Sequence, residues 1–114
     1  MIARATAPRS SRSTPRRLIT LTAPSAHHPS FAPENLSHAL DETLEDLALP
    51  PIARHTHRYA PQGASLVALS SELSLFLHTW PEHACATLDL HGAPTVTERC
   101  AAALCARLGW TWPR

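Results

Sequence analysis

The eight residues Leu73–Trp80 limit the fold more than any other stretch. Leu73, Leu75 and Leu77 fall on one side of an extended chain, while Ser74, Phe76 and His78 fall on the other. A hydrophobic period of two rules out a helix and predicts a strand whose sheet is covered by helices on one face only.

The neighbouring segments supply the rest of such a sheet and its cover. Leu18–Ala23 mixes β-branched and apolar residues up to Pro24, so it reads as a first strand, followed by a loop holding His27, His28 and Pro29. From Pro33 to Leu49, Leu36, Leu40, Leu44 and Leu47 recur at helical spacing, with Asp41, Glu42, Glu45 and Asp46 opposite. Glu34 suits the positive end of that helix, and Pro50 with Pro51 stops it. Strand-like stretches follow at Ile52–Tyr59, Ser65–Glu72 and Cys85–His91, with a Pro61–Gly63 turn between the first two. Thr95 and Glu98 carry a capping-box pattern for a second helix, with Val96, Cys100, Leu104 and Leu108 as its buried stripe and Gly109 as its end. Trp110–Trp112 is expected to make a short last strand before Pro113. The order of elements predicts an α+β two-layer domain, a mainly antiparallel sheet with two helices on one face.

At 114 residues the chain holds one such domain, small enough that association into dimers would add stability. Its charge is uneven. Arg4, Arg9, Arg12, Arg16 and Arg17 precede any acid, whereas the rest sets five Arg against nine acids. A formal net charge of +1 argues against nucleic-acid binding, and the absence of a long apolar run argues against a membrane span. Residues 1–16 contain no acid, and Pro8 and Pro15 interrupt any amphipathic helix there. They read as a disordered Arg/Ser/Pro-rich extension or a misassigned start, leaving 17–114 as the domain. Cys85, Cys100 and Cys105 are odd in number and lack Cys-x-x-Cys spacing, which points to a reducing cytoplasm rather than a disulfide framework.

Two motifs stand out, His57-Arg58-Tyr59-Ala60-Pro61-Gln62-Gly63-Ala64-Ser65 and Ser71-Glu72-Leu73-Ser74-Leu75-Phe76-Leu77-His78-Thr79-Trp80-Pro81-Glu82. On these residues the chain resembles the short bacterial, pyruvoyl-dependent form of the S-adenosylmethionine decarboxylase family. Members typically read Ser-Glu-Ser-His, three residues, then His-Thr-Trp-Pro-Glu, and the spacing is kept here. The resemblance runs from about Arg17 to Gly109 and is strongest between His57 and Asp89.

The resemblance implies an enzyme of spermidine biosynthesis that cleaves its own chain before an internal serine. The serine becomes a pyruvoyl group, whose Schiff base with the substrate amine takes up the electrons left when carbon dioxide departs. It further implies that Ser65 and His78 assist self-processing, that Glu82 meets the substrate ribose, and that Tyr59 stands for an adenine-stacking aromatic. Two positions depart from the pattern. The cleavage serine falls on Leu73, which has no hydroxyl to attack a carbonyl, and the catalytic cysteine falls near Ala93. The expectation is therefore a non-catalytic or regulatory homologue with no cofactor. It would bind an S-adenosylmethionine-like ligand and pair as a homodimer or with an active paralogue.

Two alternatives remain open in the sequence. Cleavage between Leu73 and Ser74 would place a pyruvoyl on Ser74. A one-residue shift, however, turns the side chain to the opposite face of a strand, and a straight strand sets Ser74 about 13 Å from His78. Separately, eight histidines invite a metal site built on His55 and His57 with His83 or His91.

Overall fold

The computed structural model describes residues 15–113. The chain runs β1 (Arg16–Thr22), a 3-10 turn (Pro29–Phe31), α1 (Pro33–Asp46), β2 (Ala53–Arg58), β3 (Ala64–Leu69) and β4 (Leu73–Trp80). A second 3-10 turn (Pro81–His83), β5 (Cys85–Gly92) and α2 (Pro94–Leu108) complete it. The strands form one five-stranded sheet in the order β1-β5-β4-β3-β2, and every neighbouring pair is antiparallel. This is the expected α+β arrangement, with β2 through β5 as a meander and β1 returning to lie beside β5. The expected extension 1–16 lies outside the described residues except for Pro15 and Arg16, and Arg16 already belongs to β1.

The alternation in β4 becomes a division of the whole sheet. Leu73, Leu75 and Leu77 are buried with Leu66, Leu88, Leu90 and Leu21 against Leu36, Leu40 and Leu44 of α1 and Cys100 and Leu104 of α2. The other face has no covering element among the described residues. It carries Leu18, Leu69, Phe76 and Trp80 as exposed apolar side chains. Asp89 stands among them, gripped by Arg16 through paired Nε and Nη2 hydrogen bonds of 2.9 Å each. That guanidinium holds the Asp89 carboxyl below its ordinary value, with a smaller contribution from His91.

Several boundaries differ from the sequence expectation, each for a local reason. α1 ends at Asp46 instead of Leu49. Ala48 takes a left-handed conformation (φ 57°), and the Leu49 N–H returns to the Leu44 carbonyl at 2.9 Å, so Leu49 folds back into the core. β3 stops at Leu69 instead of Glu72, because the Ser70 N–H closes the turn on the Leu73 carbonyl at 2.8 Å. Thr95 does not cap α2. Ala93 is the N-cap, Pro94 occupies the first helical position, and Glu98 pairs with Arg17 instead of closing a capping box. Thr97 is buried where Val96 was expected, and Val96 only packs against the edge of the core. Trp110–Trp112 does not form a strand. Its backbone meets the sheet at one bridge between Thr111 and Thr22, and the Arg17 guanidinium of β1 lies over the Trp112 ring at 5.3 Å.

Candidate functional site

Antiparallel pairing places Ser65 of β3 opposite both His57 of β2 and His78 of β4. All three side chains therefore share the open face, at the end where β4 runs into Pro81. Ser65 is buried and its Oγ lies 2.6 Å from His78 Nδ1. The Tyr59 hydroxyl, just past the end of β2, is 2.9 Å from the same Oγ. One proton order satisfies the chain: Tyr59 O–H donates to Ser65, and Ser65 O–H donates to an unprotonated Nδ1, with the ring proton on Nε2. The reverse order turns the Tyr59 O–H outward, so the three residues form a short hydrogen-bonded chain that can serve as a relay.

Rings hold the relay in place. Tyr59 meets His57 at 4.6 Å and His78 at 5.3 Å between centroids, and His78 meets Trp80 at 4.3 Å. On the buried side, Thr79 Oγ1 accepts from the Ala64 N–H at 2.9 Å and ties β4 to β3 next to Ser65. Glu82 is exposed in the following 3-10 turn and accepts from Gln62 Nε2 at 3.3 Å. Ser65, His78 and Tyr59, singled out in the sequence, thus meet. Glu82 lies at the rim and makes no hydrogen bond with them. His57 and Trp80 complete the ring cluster. Sequence reasoning missed their part in it, since only the sheet register brings them alongside; their period-two spacing from Tyr59 and His78 was the available signal.

Leu73 and Ser74 lie at the far end of β4. Leu73 pairs with Gly92 and points into the core, 3 % exposed. His78 is five residues further along, roughly 16 Å at strand rise, so the relay does not reach position 73 within one chain. Ser74 sits on the open face, opposite Leu69 and His91 in register, and lines a cavity of about 370 Å³ with His91 and the Ser70–Leu73 turn. The Leu73 carbonyl accepts from the Ser70 N–H at 2.8 Å and from Ser70 Oγ at 3.2 Å. Gly92 permits this crowding, because a Cβ there would lie 2.8 Å from the Glu72 carbonyl oxygen.

The metal alternative fails on geometry. Among the described residues no group of three or more His, Cys, Asp or Glu side chains gathers as a metal site. His55 and His57 share a face of β2, but His83 lies in the second 3-10 turn and His91 near the opposite edge of the sheet. Cys100 and Cys105 are packing residues. Burial pushes the Cys100 thiol up to about 12 and the Cys105 thiol up to about 11. No described helix is long and apolar enough to cross a membrane.

Residues 30–111 match the profile of the S-adenosylmethionine decarboxylase family. The chain belongs to that family. Among curated proteins similar to it, S-adenosylmethionine decarboxylase proenzyme from Hydrogenobaculum sp. is 37% identical over 57 residues, half of this chain and 42% of that protein. The proenzyme from Geobacillus sp. (strain WCH70) is 49% identical over 56 residues, 46% of this chain and 45% of its own. The matched segments thus span less than half the length of these S-adenosylmethionine decarboxylase relatives. The crystal structure of the adenosylmethionine decarboxylase from Aquifex aeolicus superposes with a TM-score of 0.70 at 22% identity, over 86% of this chain and 85% of the other. The superposition establishes a shared fold.

Proposed function

We propose that this chain is an S-adenosylmethionine decarboxylase homologue of spermidine biosynthesis that forms no pyruvoyl group at position 73. It acts as a non-catalytic or regulatory subunit, binding an S-adenosylmethionine-like ligand and pairing with a second copy or an active paralogue. The observation that supports this reading is Leu73: the position on which the family's cleavage serine falls by the spacing of the resemblance carries a hydrocarbon side chain packed in the core. The lack of a cysteine near Ala93, where the family's catalytic cysteine falls by the same count, supports it too. The intact Tyr59–Ser65–His78 relay supports a retained role in ligand or partner recognition. The exposed apolar sheet face is a suitable surface for the partner.

One observation favours a second reading, cleavage between Leu73 and Ser74. The carbonyl that Ser74 would attack is held by two donors from Ser70, and His91 stands opposite Ser74 as a nearby base. Mass spectrometry of the denatured, purified protein separates the two. A single uncleaved chain is expected. Two fragments meeting between Leu73 and Ser74, the second capped by pyruvoyl, would overturn the non-catalytic reading and establish the second.

A further inference from the structure

A cavity of about 380 Å³ opens between the β1–α1 loop and the β2–β3 turn, with Tyr59 the one member of the relay that lines it. Its volume is within the range of small-molecule sites. Ser65, His78 and Glu82 do not line it, nor does any acidic side chain. The polar groups that do are mainly donors. Arg58 contributes a guanidinium and Gln62 an amide. His28 is more informative, because its Nδ1 accepts from the Ser30 N–H at 3.1 Å and lies 2.8 Å from the Ser30 hydroxyl. An Nδ1 used as acceptor leaves the ring proton on Nε2, so the free nitrogen of His28 is a donor. His27 brings a second imidazole from a left-handed backbone (φ 56°), a conformation uncommon for any residue but glycine.

Around these donors the walls are flat and apolar, made by proline rings, Phe31 and the side of Tyr59. Each loop is held by a backbone hydrogen bond, one to the second 3-10 turn and one closing the β2–β3 turn on itself. The His27 N–H donates to the Pro81 carbonyl at 2.9 Å and the Tyr59 N–H to the Gly63 carbonyl at 2.9 Å. Gly63 has a φ of +100°, and a Cβ there would lie 3.3 Å from the Thr79 carbonyl oxygen, so the turn lies close against β4. The nearest competing anions are Glu34, 3.5 Å from an Arg58 side chain that is largely in solvent, and Glu82, which takes one Gln62 hydrogen. An exposed pair of that kind is weak and exchangeable.

We propose that this cavity binds a small organic anion, a carboxylate or phosphate on a flat apolar body, and that its occupancy is passed through Tyr59 to Ser65 and His78. Charge-assisted hydrogen bonds from Arg58, His28 and Gln62 hold the anionic group, and the apolar body packs on Phe31 and Tyr59. Because the Tyr59 hydroxyl bonds Ser65 Oγ, a ligand pressing on the ring shifts the first member of the relay. The inference goes beyond the non-catalytic reading and holds whether or not the chain is cleaved.

The test is a nuclear magnetic resonance titration of the full chain, labelled with nitrogen-15 and carbon-13, using benzoate, phenyl phosphate, inorganic phosphate and the uncharged benzyl alcohol. Benzoate or phenyl phosphate should give saturable shifts at His28 and Arg58, and the alcohol none. Arg58→Gln, at a solvent-exposed position, should weaken binding roughly ten-fold, the loss expected for one charge-assisted hydrogen bond. Gln62→Ala should weaken it less. The His78 ring signals should move on saturation in the parent chain and stay still in Tyr59→Phe. Absence of a saturable shift at millimolar probe, equal binding of benzyl alcohol, or unchanged affinity in Arg58→Gln would overturn the site. Inorganic phosphate binding as tightly as phenyl phosphate would overturn the organic class. Motion of His78 in Tyr59→Phe equal to that in the parent would overturn the coupling.

Discussion

Leu73 is a buried core residue of β4. A leucine on the buried side of β4 contributes to the core as its neighbours do, so Leu73→Ala should cost about 2–4 kcal/mol in urea unfolding. Ser65 is held differently. Its buried hydroxyl has two partners, and His78→Ala removes one of them. That substitution should destabilise the domain by about 1–2 kcal/mol in the same assay, whereas Tyr59→Phe, at an exposed ring, should cost less. The thiols give an independent check on packing. With Cys100 at about 12 and Cys105 at about 11, neither presents a thiolate at neutral pH. A thiol reagent should therefore titrate only the half-exposed Cys85 in the native protein and all three cysteines after denaturation. The motif singled out Ser65, His78 and Tyr59 as candidates. It did not show that Ser65 faces His78, because that contact spans 13 residues and depends on the register of a hairpin.

Among the elements, β4 and the two helices were legible from the sequence, because a period of two and a period of 3.6 each leave a distinct hydrophobic trace in Leu73–Trp80, Pro33–Asp46 and Pro94–Leu108. Their ends were less legible, since they depend on backbone choices made locally. Pro94 claimed the first helical position that Thr95 was expected to cap, and Ala48 took the left-handed turn usually given to glycine. Two glycines test this local control. Gly109 ends α2 at φ 72° with open space around it, so Gly109→Ala should cost about 1 kcal/mol. Gly92→Ala drives a methyl group toward the Glu72 carbonyl and should cost clearly more in urea unfolding, as well as loosening the turn that positions Leu73 and Ser74.

For the whole molecule, the open sheet face is where the proposed pairing and the response to acid are both tested. Phe76→Glu puts a charge at the centre of that face on a side chain 45 % exposed in the single chain. It should leave the circular dichroism spectrum intact while shifting sedimentation from dimer to monomer, as the proposed pairing requires. Asp89 beside it has a lowered folded-state value, first through its hydrogen bonds from Arg16. Its contribution to stability is complete above the ordinary value of 3.8 and disappears as pH falls through the lowered one. Urea unfolding of Asp89→Asn should accordingly show a smaller loss on acidification than the parent. The effect should stay below about 1 kcal/mol because the Arg16 side chain is largely in solvent.

The strand order also has a kinetic consequence. β2 to β5 form a meander of successive hairpins, whereas β1 reaches its place only by crossing to β5, joining residues as far apart as Arg16 and Asp89, 73 positions along the chain. Closing so long a loop is entropically slow compared with closing a hairpin. In a refolding experiment pulsed with deuterium, amides shared by β3 and β4 should gain protection first and those between β1 and β5 last. The edge carrying Arg16 is then assembled only after the rest of the sheet exists to receive it.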